Sequence, residues 1–356
     1  MDKECFNKTK VVIFTKAYNA EKTIGRTIDS IIKQTYTNFQ YFVLDNGSTD
    51  GTGEAIKEYC KTDKRVIHMH LNKNDPANGS AFVHMLLYST DAKYLVLCDA
   101  DDTYSPDFLE NMVSFAEDND LDIAACGYDK VDGFTGEIVK HRALESNLVL
   151  YEDLFETEFV NYRGFTIYEW GKLFSIPFMT GIKTRENIVK EPRICNDSLW
   201  ILNVFRRAER AGIYGKAMYQ YYQYPHALSH MNKNIEAHLK SYKDLWLAEK
   251  DYLEDFGPLS SRNEDFMYAI YMSLAEEMIG RIFNDGMDTL SKLKYFYTIF
   301  DDELWKAMIN HKASPEFINL SNRKEFVLEL KEKIQALSDV NNYPSEKKMV
   351  LDSLDL

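Results

Sequence analysis

Several features that would settle the class of this chain at once are missing from it. No run of eighteen apolar residues occurs, so no transmembrane helix is expected, and the amino-terminal MDKECFNKTK has no apolar core of the kind a secretory leader needs. Cysteine is sparse: Cys5, Cys60, Cys98, Cys126 and Cys195 are odd in number, widely scattered and never spaced as CxxC. That argues against a disulfide framework and a zinc-cysteine site, and predicts reduced, mostly buried thiols in an intracellular protein. Positive charge is also short, with 42 Lys and Arg against 56 Asp and Glu and a formal net charge of −14. Nucleic-acid backbones and anionic lipid surfaces both require a positive field, so neither is the expected partner. What is present is ample apolar material, 45% of 356 residues, enough for a full core in one large domain or two ordinary ones. No internal repeat or low-complexity segment is evident.

The first 130 residues alternate β-rich apolar runs with helical patterns. The runs are KVVIFT (10–15), FQYFVLD (39–45), RVIHMH (65–70), KYLVLCD (93–99) and LDIAACGY (121–128); the segments between them carry apolar residues at helical spacing. This order predicts an α/β fold with a mostly parallel sheet covered by helices on both faces. In such sheets ligands gather at the carboxyl ends of the strands. From about 131 to 230 the pattern becomes irregular and aromatic, as in the second half of one domain. Beyond 231 it turns helical, with Phe266, Ile270, Leu274, Met278 and Ile282 recurring at one-turn spacing. The expected division is therefore 1–230 and 231–356. The second part is a helical appendage suited to homodimerisation or acceptor docking.

The sharpest signal is LVLCDADDTYSP, residues 95–106, where an apolar strand runs straight into Asp99, Asp101 and Asp102. Like charges repel, and isolated carboxylates at a strand end cost free energy unless a cation sits among them. Hard oxygen donors suit Mn²⁺ or Mg²⁺, whose shell a diphosphate would complete. A calcium loop fits poorly, because Asp99, Asp101, Thr103 and Glu110 hold the right positions but Tyr104 stands where glycine is needed. Capping does not explain the cluster either, since Ser105 as N-cap and Pro106 at the first position suffice for the next helix.

LDNGSTDGT, residues 44–52, follows the second strand. Asn46-Gly47 makes a tight turn and Ser48, Thr49 and Asp50 can cap the following helix, whereas Asp45 and Asn46, at the sheet edge, can bond a nucleobase or a ribose hydroxyl. After the first strand, in KAYNAEKTI, Tyr18 can lie flat on a base.

Taken together, VVIFTKAYNAEKTIGRTIDSIIKQTYTNFQYFVLDNGSTDGT and KYLVLCDADD resemble the amino-terminal half of family 2 glycosyltransferases, inverting enzymes of the GT-A (Rossmann-like) fold. The resemblance covers residues 10–130 strongly and 165–230 more loosely. It implies a nucleotide-sugar half (1–130) and an acceptor half (131–230). It further implies donor contacts from Tyr18, Asn19, Asp45, Asn46, Asp99, Ala100 and Asp101, and a metal-binding pair in Asp101 and Asp102. EPRICNDSLWILNVFRRAERAG resembles the segment that supplies the catalytic base, here Asp197, a residue that would also serve well as a helix N-cap. YYQYPHALSH (221–230) resembles the loop after the last strand, with His230 as a further metal ligand and His226 on the acceptor side. Trp170 and Lys172 in EWGKLF match a family pattern as well, Trp170 as a wall for a sugar ring or as core.

The sequence departs from the family's pattern in carrying Lys16 at the end of the first strand, Asn46 for a second aspartate, and Val83-His84 where an Arg-Asn pair is usual. Lys16 or Arg163 is expected to replace the missing cation. The implied activity is metal-dependent, inverting transfer of a sugar from a nucleotide diphosphate sugar, with UDP favoured, to a glycan, lipid-linked or protein-linked hydroxyl. The expected location is the cytoplasm, free or peripheral to the inner face of the membrane. The rivals are a catalytically silent glycan-binding or scaffold module on the same fold, and a sugar nucleotidyltransferase. The latter would show a glycine-rich basic segment after the first strand, and KAYNAEKTIG is not one.

Overall fold

A computed structural model describes residues 11–75, 78–181, 196–224, 235–312 and 316–354. Those up to Tyr224 form one compact unit and those from Ile235 onward form another.

The first unit is built on a mixed sheet. Its strands are β1 (Val11–Ala17), β2 (Phe39–Asn46), β3 (Val66–Leu71), β4 (Tyr94–Leu97), β5 (Thr103–Tyr104), β6 (Ile123–Asp132), β7 (Ile138–Arg142), β8 (Leu148–Tyr151), β9 (Lys172–Ser175) and β10 (Arg210–Gln223). The spatial order is β3-β2-β1-β4-β9-β6-β10-β5, with β7 beside β6 and β8 beside β10. β3, β2, β1 and β4 are mutually parallel, β9 runs antiparallel between β4 and β6, and β10 is parallel to β6. All residues of β2 and all but Lys16 of β1 are buried, which is why these strands read as continuous apolar runs rather than alternating ones.

The helices that cover the sheet include α1 (Ile24–Ile32), α2 (Thr52–Thr62), α3 (Asn78–Ser89), α4 (Phe108–Asn119) and α5 (Asn196–Arg207). In α1, Ile24, Thr27, Ile28 and Ile31 supply the buried stripe at helical spacing. The expected cap at Ser105 is corrected. α4 begins at Phe108 after Asp107, and Ser105 instead donates its backbone N–H to Met218 O (2.9 Å) and accepts from Gln34 Nε2 (2.7 Å), tying the turn to β10 and to the segment just after α1. Among the described residues the strand order runs 3-2-1 and then reverses to 4, so the crevice above β1 and β4 is the switch point at which open α/β sheets bind ligands.

The second unit is helical among its described residues, with α6 (Ile235–Glu254), α7 (Ser261–Asn284), α8 (Thr289–Phe300), α9 (Glu303–Asn310), α10 (Arg323–Gln335) and α11 (Pro344–Asp352) as its longer helices. In α7 the fully enclosed residues are Met267, Met272, Met278 and Ile282, while Phe266, Ile270 and Leu274 are only half-buried. The expected stripe is therefore rotated by about one residue in its first turns, because neighbouring helices there cover more than one face. No described helix is long and apolar enough to cross a membrane.

Candidate active site

The ladder registers Ala17 of β1 with Asp45 of β2, and Phe14 of β1 with Leu97 of β4. The residues after β1, β2 and β4 therefore emerge on one edge. Past β4, Cys98 still donates its N–H to Phe14 O (3.1 Å), and the three aspartates follow. Asp99 is exposed, Asp101 is half-buried and Asp102 is fully enclosed. Asp102 Oδ2 accepts from the Tyr219 hydroxyl (2.7 Å) and its Oδ1 from the Tyr222 backbone N–H (2.8 Å). The same hydroxyl accepts from Asp99 N (3.3 Å), so one phenol ties both ends of the cluster. Burial, reinforced by the charges of Asp99 and Asp101, pushes the Asp102 carboxyl well above the usual carboxylate range, and hydrogen bonds from Tyr219 and Tyr222 only partly offset it. Burial raises Asp101 too, against a lowering by the Arg26 guanidinium.

Carboxyls held this way favour a bound cation, and their all-oxygen donor set fits Mn²⁺ or Mg²⁺. Asp102, however, does not face the open rim, so the expected metal-binding pair of Asp101 and Asp102 is not presented together. Asp99 and Asp101 are the accessible carboxylates. Ala100 lies half-buried between them, against the core.

The loops after β1 and β2 clip together. Asn19, with a left-handed φ of 51°, donates its N–H to Ser48 Oγ (3.0 Å) and accepts at Oδ1 from Thr49 N (2.9 Å), while Ala20 N donates to Thr52 Oγ1 (2.8 Å). Gly47 sits at φ 76°, and a Cβ there would lie 2.5 Å from the Asn74 backbone nitrogen, which is why the turn takes glycine. Asp45 is buried; its Oδ1 accepts from Ser48 N (2.9 Å) and its Oδ2 lies 2.9 Å from His70 Nδ1. Burial alone would raise its carboxyl, but the bonds from Ser48 and His70 win and hold it below the usual range. Asn46 is equally buried and donates Nδ2 to Asn74 Oδ1 (2.8 Å) and Asp75 O (2.9 Å). The side chains of Asn19, Asp45 and Asn46 thus build the frame of the edge, whereas Tyr18 stands exposed on it.

Trp170 is only 6% exposed and is sandwiched between Tyr168 (centroids 4.3 Å apart, 10° between planes) and Tyr219 (4.3 Å, 8°). Both of its faces are covered. It is corrected from a sugar-facing wall to the core alternative, buttressing the Tyr219 ring. Lys172 is buried as well, its Nζ donating to Trp170 O (3.2 Å) and to Tyr168 O. Burial drives its amine down to about 7, with Cys126 and the carboxylate of Asp197 opposing. It too is enclosed rather than open to an acceptor. Asp197 is exposed in the first turn of α5, which Ser198 pins by donating Oγ to Ile167 O (2.9 Å). His226, His230, Cys5 and Cys195 lie outside the described residues.

Three residues of the site escaped sequence reasoning. Arg26 on α1 donates to Asp101 O and to the Tyr224 hydroxyl (3.2 Å), and its guanidinium lies 3.5 Å from the centroid of the Tyr222 ring. It is a further cation at the rim; the Lys16 side chain lies beside Gly79 of α3. Tyr219 and Tyr222 belong to β10, which continues to Gln223, so the segment expected to be loop from 221 is strand at its start. The available signal was the tyrosine-rich run YQYYQY, since aromatic residues are enriched in strands.

Residues 12–185 match the family model described as Glycosyl transferase family 2. That segment, just under half of the chain, carries a glycosyltransferase family 2 domain. The glycosyltransferase GlyA of Streptococcus pneumoniae serotype 4 is 26% identical over 220 residues, 60% of this chain and 30% of its own length. EpsJ, an uncharacterised glycosyltransferase of Bacillus subtilis, is 28% identical over 254 residues, covering 67% of this chain and 71% of that one. The chain thus spans less than a third of the first relative and about seven tenths of the second. Among solved structures, residues 1–349 of S. aureus TarS in complex with UDP-GlcNAc superpose with a TM-score of 0.53 at 15% identity, covering 97% of this chain and 89% of that one. That likeness concerns the fold, which is the GT-A arrangement expected for the family.

Proposed function

We propose that this protein transfers a sugar from a nucleotide diphosphate sugar, with UDP the favoured nucleotide, to a hydroxyl of a glycan, lipid-linked or protein-linked acceptor, with inversion. The observation that carries the reading is the rim itself: two accessible carboxylates, Asp99 and Asp101, backed by the enclosed Asp102 at the sheet's switch point. In this reading Tyr18 stacks on the base, a contact worth about 1–3 kcal/mol. Asp99 and Asp101 hold Mn²⁺ or Mg²⁺, which when bound supplies charge neutralisation to the departing diphosphate. Arg26 holds the backbone of Asp101 from the other side. Asp197 takes the proton of the acceptor hydroxyl as that oxygen bonds to the anomeric carbon and the bond to the diphosphate breaks. The halves 1–130 and 131–230 divide donor from acceptor binding, and the helical part from 231 onward serves docking.

The test is nucleotide release. Purified protein with a panel of UDP-sugars and manganese is expected to liberate UDP, chelator is expected to abolish the release, and Asp101→Asn to lose it. Asp197→Asn is expected to keep UDP affinity while turnover falls by about 100-fold. If that variant instead loses folding stability in proportion to activity, Asp197 is a helix cap and not the base.

A further inference from the structure

Two histidines of β3 have no part in this reading. His68 and His70 are two residues apart on a strand and so face the same side of the sheet. The ladder sets Asp45 of β2 directly opposite His70. One ligand atom from each of Asp45, His68 and His70 lies within 4.8 Å of the other two, and His70 Nδ1 is 2.9 Å from Asp45 Oδ2. A tetrahedral ion with bonds of 2.0–2.1 Å needs ligand atoms about 3.4 Å apart, a spacing that side-chain rotations of about 1 Å reach from here.

The surroundings are arranged for these three groups. Asp45 is held by the Ser48 N–H, and Gly53 of α2 leaves the space that Asp45 occupies, since a Cβ there would lie 2.6 Å from Oδ2. An aspartate–histidine hydrogen bond accounts for His70. It does not account for His68, whose Nε2 is buried with no hydrogen-bond partner among the described residues, a cost that a bound ligand would remove.

We propose that Asp45, His68 and His70 form a second metal site, separate from the aspartate rim, for a late first-row divalent cation of the Zn²⁺ type with water completing its shell. Two imidazoles and one carboxylate select such borderline ions, whereas the all-oxygen rim selects Mn²⁺ or Mg²⁺. The inference does not rest on the transferase reading. Its structural consequence is local: Asp45 holds Ser48, and the Ser48 hydroxyl holds Asn19 beside the exposed Tyr18, so an ion here would stiffen the clip between the two loops.

Calorimetric titration of the full chain with ZnCl₂, in excess Mg²⁺ to occupy the rim, tests it. One equivalent of Zn²⁺ is expected to bind. His68→Gln and His70→Asn should each weaken it by roughly tenfold or more, while Asp101→Asn leaves it unchanged. Co²⁺ in place of Zn²⁺ should give the visible absorption of a low-coordinate site, lost in the same variants. No stoichiometric uptake, uptake that survives both histidine substitutions, or uptake lost only in Asp101→Asn would overturn the proposal. The His70 side chain is half exposed, so His70→Asn carries the test even if His68→Gln does not fold.

Discussion

Tyr219→Phe removes one oxygen atom and nothing else, which makes it the cleanest probe of how the rim is held. The phenyl ring still stacks on Trp170, so packing is preserved. Two bonds are lost: the donor to Asp102 Oδ2 at 2.7 Å and the weaker acceptor for Asp99 N at 3.3 Å. A hydrogen bond to a buried charged group contributes about 1.5–3 kcal/mol, and the Asp99 contact, longer and at the surface, adds little. The expected loss is therefore about 2 kcal/mol, or about 4–8 °C in Tm for a unit of this size. Urea denaturation followed by near-ultraviolet dichroism measures it. Tyr222→Phe is the control, because Tyr222 serves Asp102 through its backbone and its hydroxyl, among the described residues, bonds Gln220 Oε1 (3.1 Å); a change within about 0.5 kcal/mol is expected. Looser positioning of Asp99 should also weaken manganese-dependent UDP binding about fivefold, the equivalent of about 1 kcal/mol. If Tyr219→Phe matches the wild type in both stability and UDP affinity, the phenol does not organise the aspartates and the account of the rim fails.

Further outcomes follow from the same geometry. Lys172, whose amine burial lowers to about 7 from the ordinary 10.5, is neutral in the folded protein and protonated in the unfolded chain between those values. The unfolded state then binds more protons, so stability should rise with pH across about 7 to 10.5. In Lys172→Met that rise should flatten, as read from denaturation midpoints at pH 7, 8.5 and 10; an unaltered profile would show that the amine is not desolvated. Gly47→Ala forces a Cβ to 2.5 Å from backbone atoms of Lys73 and Asn74 at a left-handed φ, and should destabilise by about 2 kcal/mol or more in the same denaturation assay. A cost under about 0.5 kcal/mol there would mean that the turn relaxes freely.

How much was legible in the chain depends on the range of the interaction involved. The strands at 10–15, 39–45, 65–70, 93–99 and 121–128 appear where the periodicity sets them, and for the central ones burial on both sides writes itself into consecutive residues. Their carboxyl ends were readable for the same local reason, and with them the special position of Asp99 to Asp102. The aromatic stack was not. YEWGKLF suggests a tryptophan beside a site, but nothing within it says that Tyr168 and Tyr219 will cover both faces of that ring. The Ser105 cap failed because the helix starts only at Phe108, after Asp107, while the Ser105 backbone is tied to Met218 of β10 and to Gln34.

The sequence alone, then, determined the alternation that makes the sheet and the family that the motifs carry, since both are written in residues a few positions apart. Only the tertiary structure decided that Asp102 is a buried brace while Asp99 is exposed and Asp101 half-buried, because the partner of Asp102, Tyr219, is 117 residues further along the chain. The placing of Arg26 behind Asp101 and the meeting of Asp45 with His68 and His70 were decided in the same way. Solvent exposure and the protonation of a carboxyl are set by what packs on top of it, and those neighbours arrive from distant strands.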